Sequence, residues 1–288
     1  MLSPLVFAHG FLGFKEIGKT AYFNNLDGHL KRRFPGRPVY FTQVDPGASI
    51  ERRAGQIKAQ IVQWLARPQL QPRQKALLIA HSMGGLDARF LISRLGGHEI
   101  IGALATIGSP HWGTPLADLA VKAKQHWPIV ELEALIDARA WIHGERWLRD
   151  LVLPFEGGLA QMTPDAMERF NQETPQAGGV IYLAFAGAAS PWAGGLMPPA
   201  LQIPHHFISR YPHAKAGGPN DGLVAQASAL GQGLGFDYAE TVEADHFAQI
   251  GHSFSLIAQT VRAATRSGFD HLAFYDRIIN ELDRRNHD

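Results

Sequence analysis

The chain has 288 residues, 45% of them apolar and 18% charged, with Lys+Arg 27 balanced by Asp+Glu 26. That is ample material for a core, and the near-zero balance leaves no basic field to favour nucleic acid or an anionic membrane. The absence of cysteine excludes disulfides, thiolate metal sites and a cysteine nucleophile. No apolar run reaches the roughly 18 residues of a membrane span. The N-terminus lacks the basic stretch and apolar length of a signal peptide. The expected location is therefore soluble, either in the cytoplasm or exported by a signal-peptide-independent route.

Leu5-Val6-Phe7-Ala8 reads as a short buried strand running into His9-Gly10-Phe11-Leu12-Gly13-Phe14. Glycines in such a loop let backbone N–H groups aim where side chains would otherwise interfere. The competing readings are a plain glycine turn and a phosphate loop, and neither phosphate-loop consensus is present. Asn24 to Phe34 carries Leu26, Leu30 and Phe34 at helical spacing. Pro38 to Val44 reads as a second strand stopped by Asp45-Pro46-Gly47. Ser49 then opens a helix with Ile50, Ile57, Ile61, Trp64 and Leu65 as its apolar positions.

Lys75 to Gly85 is the most informative stretch. An apolar run, Ala76-Leu77-Leu78-Ile79, leads into Ala80-His81-Ser82-Met83-Gly84-Gly85, and a helical segment follows immediately. Strand, sharp turn with serine at its tip, then helix is the context of a nucleophile elbow. Such a turn wants small residues two positions either side of the serine. Gly84 meets that demand, and Ala80 stands where a glycine is usual. Strand–helix alternation from Leu5 onward predicts a parallel sheet, with ligands beyond the carboxyl ends of its strands. Both the His9-Gly10-Phe11 loop and Ser82 would emerge there.

Ile100 to Ile107 is a further strand candidate, ending in Gly108-Ser109-Pro110-His111-Trp112-Gly113. Residues 116–153 change character, mixing tryptophans, leucines and charges, with Pro128 expected to break a helix. They are read either as a lid over an apolar cleft or as extra packed helices. Thr163-Pro164 has the form of an N-cap followed by proline at the first helical position. Val180 to Ala186 is the next strand, and residues 187–220 read as a long irregular stretch rich in Gly and Pro. Gly217-Gly218-Pro219-Asn220-Asp221-Gly222 places an acid on a turn, and a last strand from Tyr238 leads to Ala244-Asp245-His246.

Ser82, Asp221 and His246 follow the chain order of the α/β-hydrolases. In that arrangement the histidine takes the serine proton while the acid orients and stabilises the imidazolium. The backbone N–H groups of Phe11 and Met83 are the expected oxyanion donors. His111 is not expected to be the base. Asp245 adjoins His246, and chain neighbours rarely face each other. Asp87 is placed on the helix after the elbow.

Four motifs together, A-H-G-F-L-G-F, A-H-S-M-G-G-L-D-A-R, G-S-P-H-W-G-T-P-L-A-D and N-D-G-L-V, resemble those of bacterial true lipases of the Pseudomonas/Proteus triacylglycerol lipase type. The resemblance runs from about Pro4 to Gln259. It implies a single α/β-hydrolase domain: a mostly parallel central sheet flanked by helices, with an inserted helical lid over about 116–153. It implies a Ser82–Asp221–His246 triad, carboxylester hydrolysis and acylglycerols as substrate class, with Phe14, His81 and Trp112 as side chains expected to touch substrate. The partner expected is a lipid or small ester, in solution or at a lipid–water interface.

The lipases resembled hold a structural calcium near the catalytic histidine, with an Asp two residues after it. Ala248 occupies that position here, and no Asp occurs between Ala166 and Asn220. Calcium needs several oxygen ligands, carboxylates among them, so no calcium and no other cofactor is expected. A zinc site at His205, His206 and His213 has poor tetrahedral spacing. Competing expectations on the same triad are a short-chain esterase, a thioesterase or an acyltransferase. From a different class comes a non-catalytic fold that holds an apolar ligand.

Overall fold

Six parallel strands form one sheet in the computed structural model, which describes residues 2–11, 16–17, 20–68, 70, 74–126, 157–190, 197–252 and 268–287. In chain order these are β1 (Leu5–Ala8), β4 (Val39–Phe41), β5 (Ala76–His81), β6 (Ile101–Ile107), β7 (Ile181–Gly187) and β8 (Tyr238–Val242). They lie side by side as β4-β1-β5-β6-β7-β8, every neighbouring pair parallel. Two-residue strands β2 (Glu16–Ile17) and β3 (Thr20–Ala21) make a separate antiparallel pair.

The side-chain period of two sorts each central strand between two cores. Leu5, Phe7, Leu77, Ile79, Ala105, Ile107, Leu183 and Phe185 point to the face covered by α1 (Leu26–Arg33) and the C-terminal α8 (His271–His287). Val6, Ala8, Leu78, Ala80, Leu104 and Tyr182 point the other way, onto α2 (Ile50–Leu65) and α3 (Met83–Arg94). Because both faces are covered, the strands read as continuous apolar runs rather than alternating ones.

The expected caps are present. Ser49 Oγ accepts from the Arg52 N–H at the start of α2, and Thr163 Oγ1 accepts from the Ala166 N–H at the start of α5 (Pro164–Glu173). Helix α4 (Pro115–His126) opens the segment read as a lid; residues 127–156, with Pro128 and the three tryptophans Trp127, Trp141 and Trp147, lie outside the described residues.

One expectation needs correction. The stretch 187–220 is not irregular throughout, because Pro199–Ser209 is an α-helix, α6. Proline at its start is compatible with a helix, since the first N–H groups have no intrahelical partner. Pro204 sits inside it, which is why composition alone argued for a loop. A short helix α7 (Gln226–Ala229) follows the acid-bearing turn.

Candidate active site

Ser82 terminates β5 and caps α3 with φ 57° and ψ −133°. Among the described residues only Asn25 shares a positive φ without being glycine. A strained serine costs on the order of 1–3 kcal/mol and persists where its surroundings over-determine it. Here the surroundings are identifiable. The Ser82 N–H donates to the Ile107 carbonyl at 2.8 Å. A Cβ at Gly84 would stand 2.7 Å from the His9 carbonyl oxygen and 2.8 Å from that of Ala8, so β1 and α3 approach to a distance that only glycine allows. Ala80, by contrast, is fully buried among apolar neighbours and has room for its methyl group.

His246 and Asp221 meet below the turn. Their Nδ1–Oδ2 distance is 2.7 Å, and both side chains are almost wholly buried. The other carboxylate oxygen, Oδ1, accepts from the N–H groups of Leu223 and Val224 at 2.9 and 2.8 Å. Asp221 is thus held by its own turn in one orientation. The His246 N–H donates to the Asp221 carbonyl at 2.9 Å, tying the two loops by backbone as well. Asn220 fastens the turn to α6, donating from Nδ2 to the His205 carbonyl at 3.1 Å.

The chain neighbours of Ser82 lie beside this pair. The His81 ring centroid lies 4.6 Å from that of His246, and Gly108, just after the carbonyl that receives the Ser82 N–H, abuts Asp221 and His246. A Cβ on Gly108 would stand 3.2 Å from Asp221 Oδ2 and 3.3 Å from His246 Nδ1. Among the described residues Ser82 Oγ makes no hydrogen bond; such contacts often tighten only when substrate binds.

The loop after β1 comes equally close. A Cβ at Gly10 would stand 3.0 Å from Ser82 Oγ. The Gly10 N–H donates to the Tyr22 hydroxyl at 3.0 Å. The Phe11 and Met83 N–H groups have no partner among the described residues, and Met83 is the first residue of α3, where helix N–H groups are free and the dipole favours negative charge.

Four residues that composition and spacing did not single out hold this arrangement. Arg53, fully buried on α2, donates from Nε to Asp87 at 2.8 Å and from Nη2 to the carbonyls of His9 and Gly10 at 2.8 and 3.1 Å. His9 accepts from the Val44 N–H at Nε2, which leaves Nδ1–H to donate to the Gly10 carbonyl at 3.0 Å. Burial, helped by Arg53, lowers its pKa to about 4, so the ring is neutral. Tyr22 completes a chain. His81 Nε2 donates to the His246 carbonyl at 3.2 Å, so Nδ1 is the acceptor for the Tyr22 hydroxyl at 2.7 Å. The fourth is Gln249, whose Nε2 lies 3.0 Å from Asp221 Oδ2. For Arg53 a signal existed. It lies three residues after Ile50 and four before Ile57, on the apolar face of α2, where an exposed arginine has no place.

The side chains expected to touch substrate fare differently. His81 is 1% exposed with both ring nitrogens engaged inside the protein, and burial holds its pKa well below the ordinary value, with His246 adding to the effect. It therefore supports the site from within rather than lining its wall. The Trp112 indole donates to the Gln232 carbonyl at 3.0 Å and faces the Lys215 ammonium at 3.5 Å, both outside the Ser82 cluster. Phe14 lies outside the described residues. His111, set aside as a base, is buried and bonded to Thr106. Asp245 turns its Oδ1 to the N–H groups of Phe247 and Ala248. Asp87 lies on α3, paired with Arg53.

No protein-family model matches the chain. Triacylglycerol lipase 2 of Saccharomyces cerevisiae is 30% identical over 258 residues, covering 87% of this chain and 70% of that protein. A triacylglycerol lipase of Pseudomonas fragi is 26% identical over 207 residues, covering 71% of this chain and 64% of its own length. Among solved structures, the lipase of Staphylococcus hyicus superposes with a TM-score of 0.71 at 20% identity, covering 98% of this chain and 95% of that one. At that identity the superposition speaks for the fold.

Proposed function

The chain belongs to the triacylglycerol lipase family of α/β-hydrolases and is a carboxylic ester hydrolase; from that premise we propose that Ser82 is its nucleophile, His246 its general base and acid, and Asp221 the group that orients the base. The observation that carries this reading is the buried 2.7 Å Asp221–His246 contact beside a serine held at positive φ. Ser82 Oγ attacks the ester carbonyl carbon and gives its proton to His246 Nε2. The resulting oxyanion accepts from the Phe11 and Met83 N–H groups, a contribution of a few kcal/mol per donor. Collapse expels the alcohol, which takes the proton from His246. Water, deprotonated by the same histidine, then releases the acid and regenerates Ser82.

The proposed substrates are acylglycerols, which is what the two curated relatives are named for. We read the chain as one domain whose expected lid over 116–153 begins with α4 and otherwise lies outside the described residues, and we read catalysis as free of calcium or any other cofactor.

The test compares wild type with Ser82→Ala on p-nitrophenyl esters of short and long acyl chains. Wild type is expected to cleave both and Ser82→Ala neither. Full activity in Ser82→Ala would end the mechanism, and turnover of short esters alone would make the protein an esterase. Transfer of the acyl group to an added alcohol in preference to water would favour an acyltransferase.

A further inference from the structure

Gln249 is a fully buried amide on the turn that follows His246. Its Nε2 lies 3.0 Å from Asp221 Oδ2, the oxygen that also faces His246 Nδ1, and 3.3 Å from the Asp245 carbonyl. Both amide hydrogens are therefore directed, one to the acid and one to the backbone beside the base. Its Oε1 has no partner among the described residues. The reversed orientation would set that oxygen against a carboxylate and a carbonyl, two acceptors, so the amide donates to Asp221. A buried acceptor left open shows that the donor side determines where this side chain sits.

Two glycines make the slot it occupies. At the end of β6, a Cβ on Gly108 would stand 2.8 Å from Gln249 Oε1. At the end of β7, a Cβ on Gly187 would overlap Nε2 and stand 2.9 Å from the Asp221 Cβ. Two strands thus end without side chains where the amide crosses to the acid.

We propose that Gln249 is a positioning residue for ester hydrolysis, holding Asp221 Oδ2 toward His246 and moderating the charge that the carboxylate presents to the imidazole. This rests on Ser82, His246 and Asp221 being the catalytic set. Asp221 Oδ2 shares its lone pairs between two donors, so part of its negative charge is neutralised by the amide. Without that donor the carboxylate faces His246 alone and stabilises the imidazolium more strongly.

Gln249→Met keeps the length of the side chain and removes the donor. Its kcat on p-nitrophenyl butyrate is expected to fall about tenfold or more, with KM within twofold. The acid limb of its kcat/KM profile should move to higher pH by about half a unit or more. A folded Gln249→Met with unchanged kcat and acid limb would overturn the proposal. Should that variant not fold, Gln249→Leu, which also lacks the donor, is measured instead. Its acid limb should likewise move upward, and an unmoved limb counts against the proposal equally. Ser82→Ala separates the two readings. If it stays active, the catalytic set itself is wrong; if it is inactive while both Gln249 variants match wild type, only the role of Gln249 falls.

Discussion

Arg53 and Asp87 form an ion pair, Nε to Oδ2 at 2.8 Å, with both side chains shut off from solvent. The pair joins α2 to the helix that follows the elbow, and the same guanidinium grips the carbonyls of His9 and Gly10. Because a peptide's C=O and N–H point in opposite directions, holding the Gly10 carbonyl toward Arg53 turns the Phe11 N–H away from it. Arg53→Ala should cost about 3–5 kcal/mol of stability, as Asp87 would be left as a buried unpaired acid. The double variant Arg53→Met with Asp87→Leu should recover most of that stability, yet keep a low kcat because the two carbonyls lose their clamp. Urea midpoints and kcat measured together check this, and a double variant with wild-type kcat would separate Arg53 from the proposed oxyanion role of the loop after β1.

Tyr22→Phe preserves the ring packing against Phe23 and His9 and deletes one oxygen. It leaves the Gly10 N–H and His81 Nδ1 buried without their partner. The expected loss is about 1–3 kcal/mol for the unsatisfied groups, with a roughly tenfold lower kcat. Thermal melting and steady-state kinetics on a soluble ester provide the readout; no change in either would show that the hydroxyl is dispensable.

At the elbow, Gly84→Ala is expected to destabilise the protein by about 1–3 kcal/mol, since its methyl group meets two backbone carbonyls that cannot rotate away. Ala80→Gly, although it restores the more usual residue, should also cost about 1 kcal/mol through backbone entropy and lost packing. Its kcat should stay within about twofold of wild type. Equal tolerance of the two substitutions would contradict the close approach of β1 and α3.

Acid should loosen the fold. Four buried histidines, His9, His81, His111 and His252, have pKa values pushed below 6.5, in each case first by burial. Each is neutral in the folded chain and protonates more readily when unfolded. The stability they confer is therefore complete above about pH 6.5 and is lost as pH falls toward the folded values. For His9, lowered to about 4, the loss approaches about 3 kcal/mol. Asp87 acts in the opposite direction, raised by burial to about 7, so its contribution is lost as pH rises through neutrality. With four groups against one, the urea midpoint should drop between pH 7 and pH 5, and a flat midpoint would refute the assignment.

Among the described residues no group of three or more His, Asp or Glu side chains is placed to hold a metal. Chelator treatment is expected to leave both activity and melting temperature unchanged. A clear fall in either would establish a metal requirement.

The sequence by itself carried the fold to a large extent. Apolar runs such as Ala76 to Ile79 and Ile101 to Ile107 exceed what a one-sided strand would show, and they identify a parallel sheet covered on both faces. The turn at Ser82 was legible because a strained turn restricts which residues can flank it; the contact of Asp221 with His246 joins two loops 25 residues apart. Helix α6 was missed because proline content says little about position within a helix. What only the tertiary structure decided is how separate loops hold one another. Arg53, Tyr22, His81 and Gln249 act across 12 to 165 residues of chain, where local spacing has no bearing. His81 shows the difference. Its place beside Ser82 suggested contact with substrate, but burial and two internal hydrogen bonds make it part of the frame. A turn's geometry is written in its own residues, whereas a buried hydrogen bond depends on which distant groups the packed core brings within 3 Å.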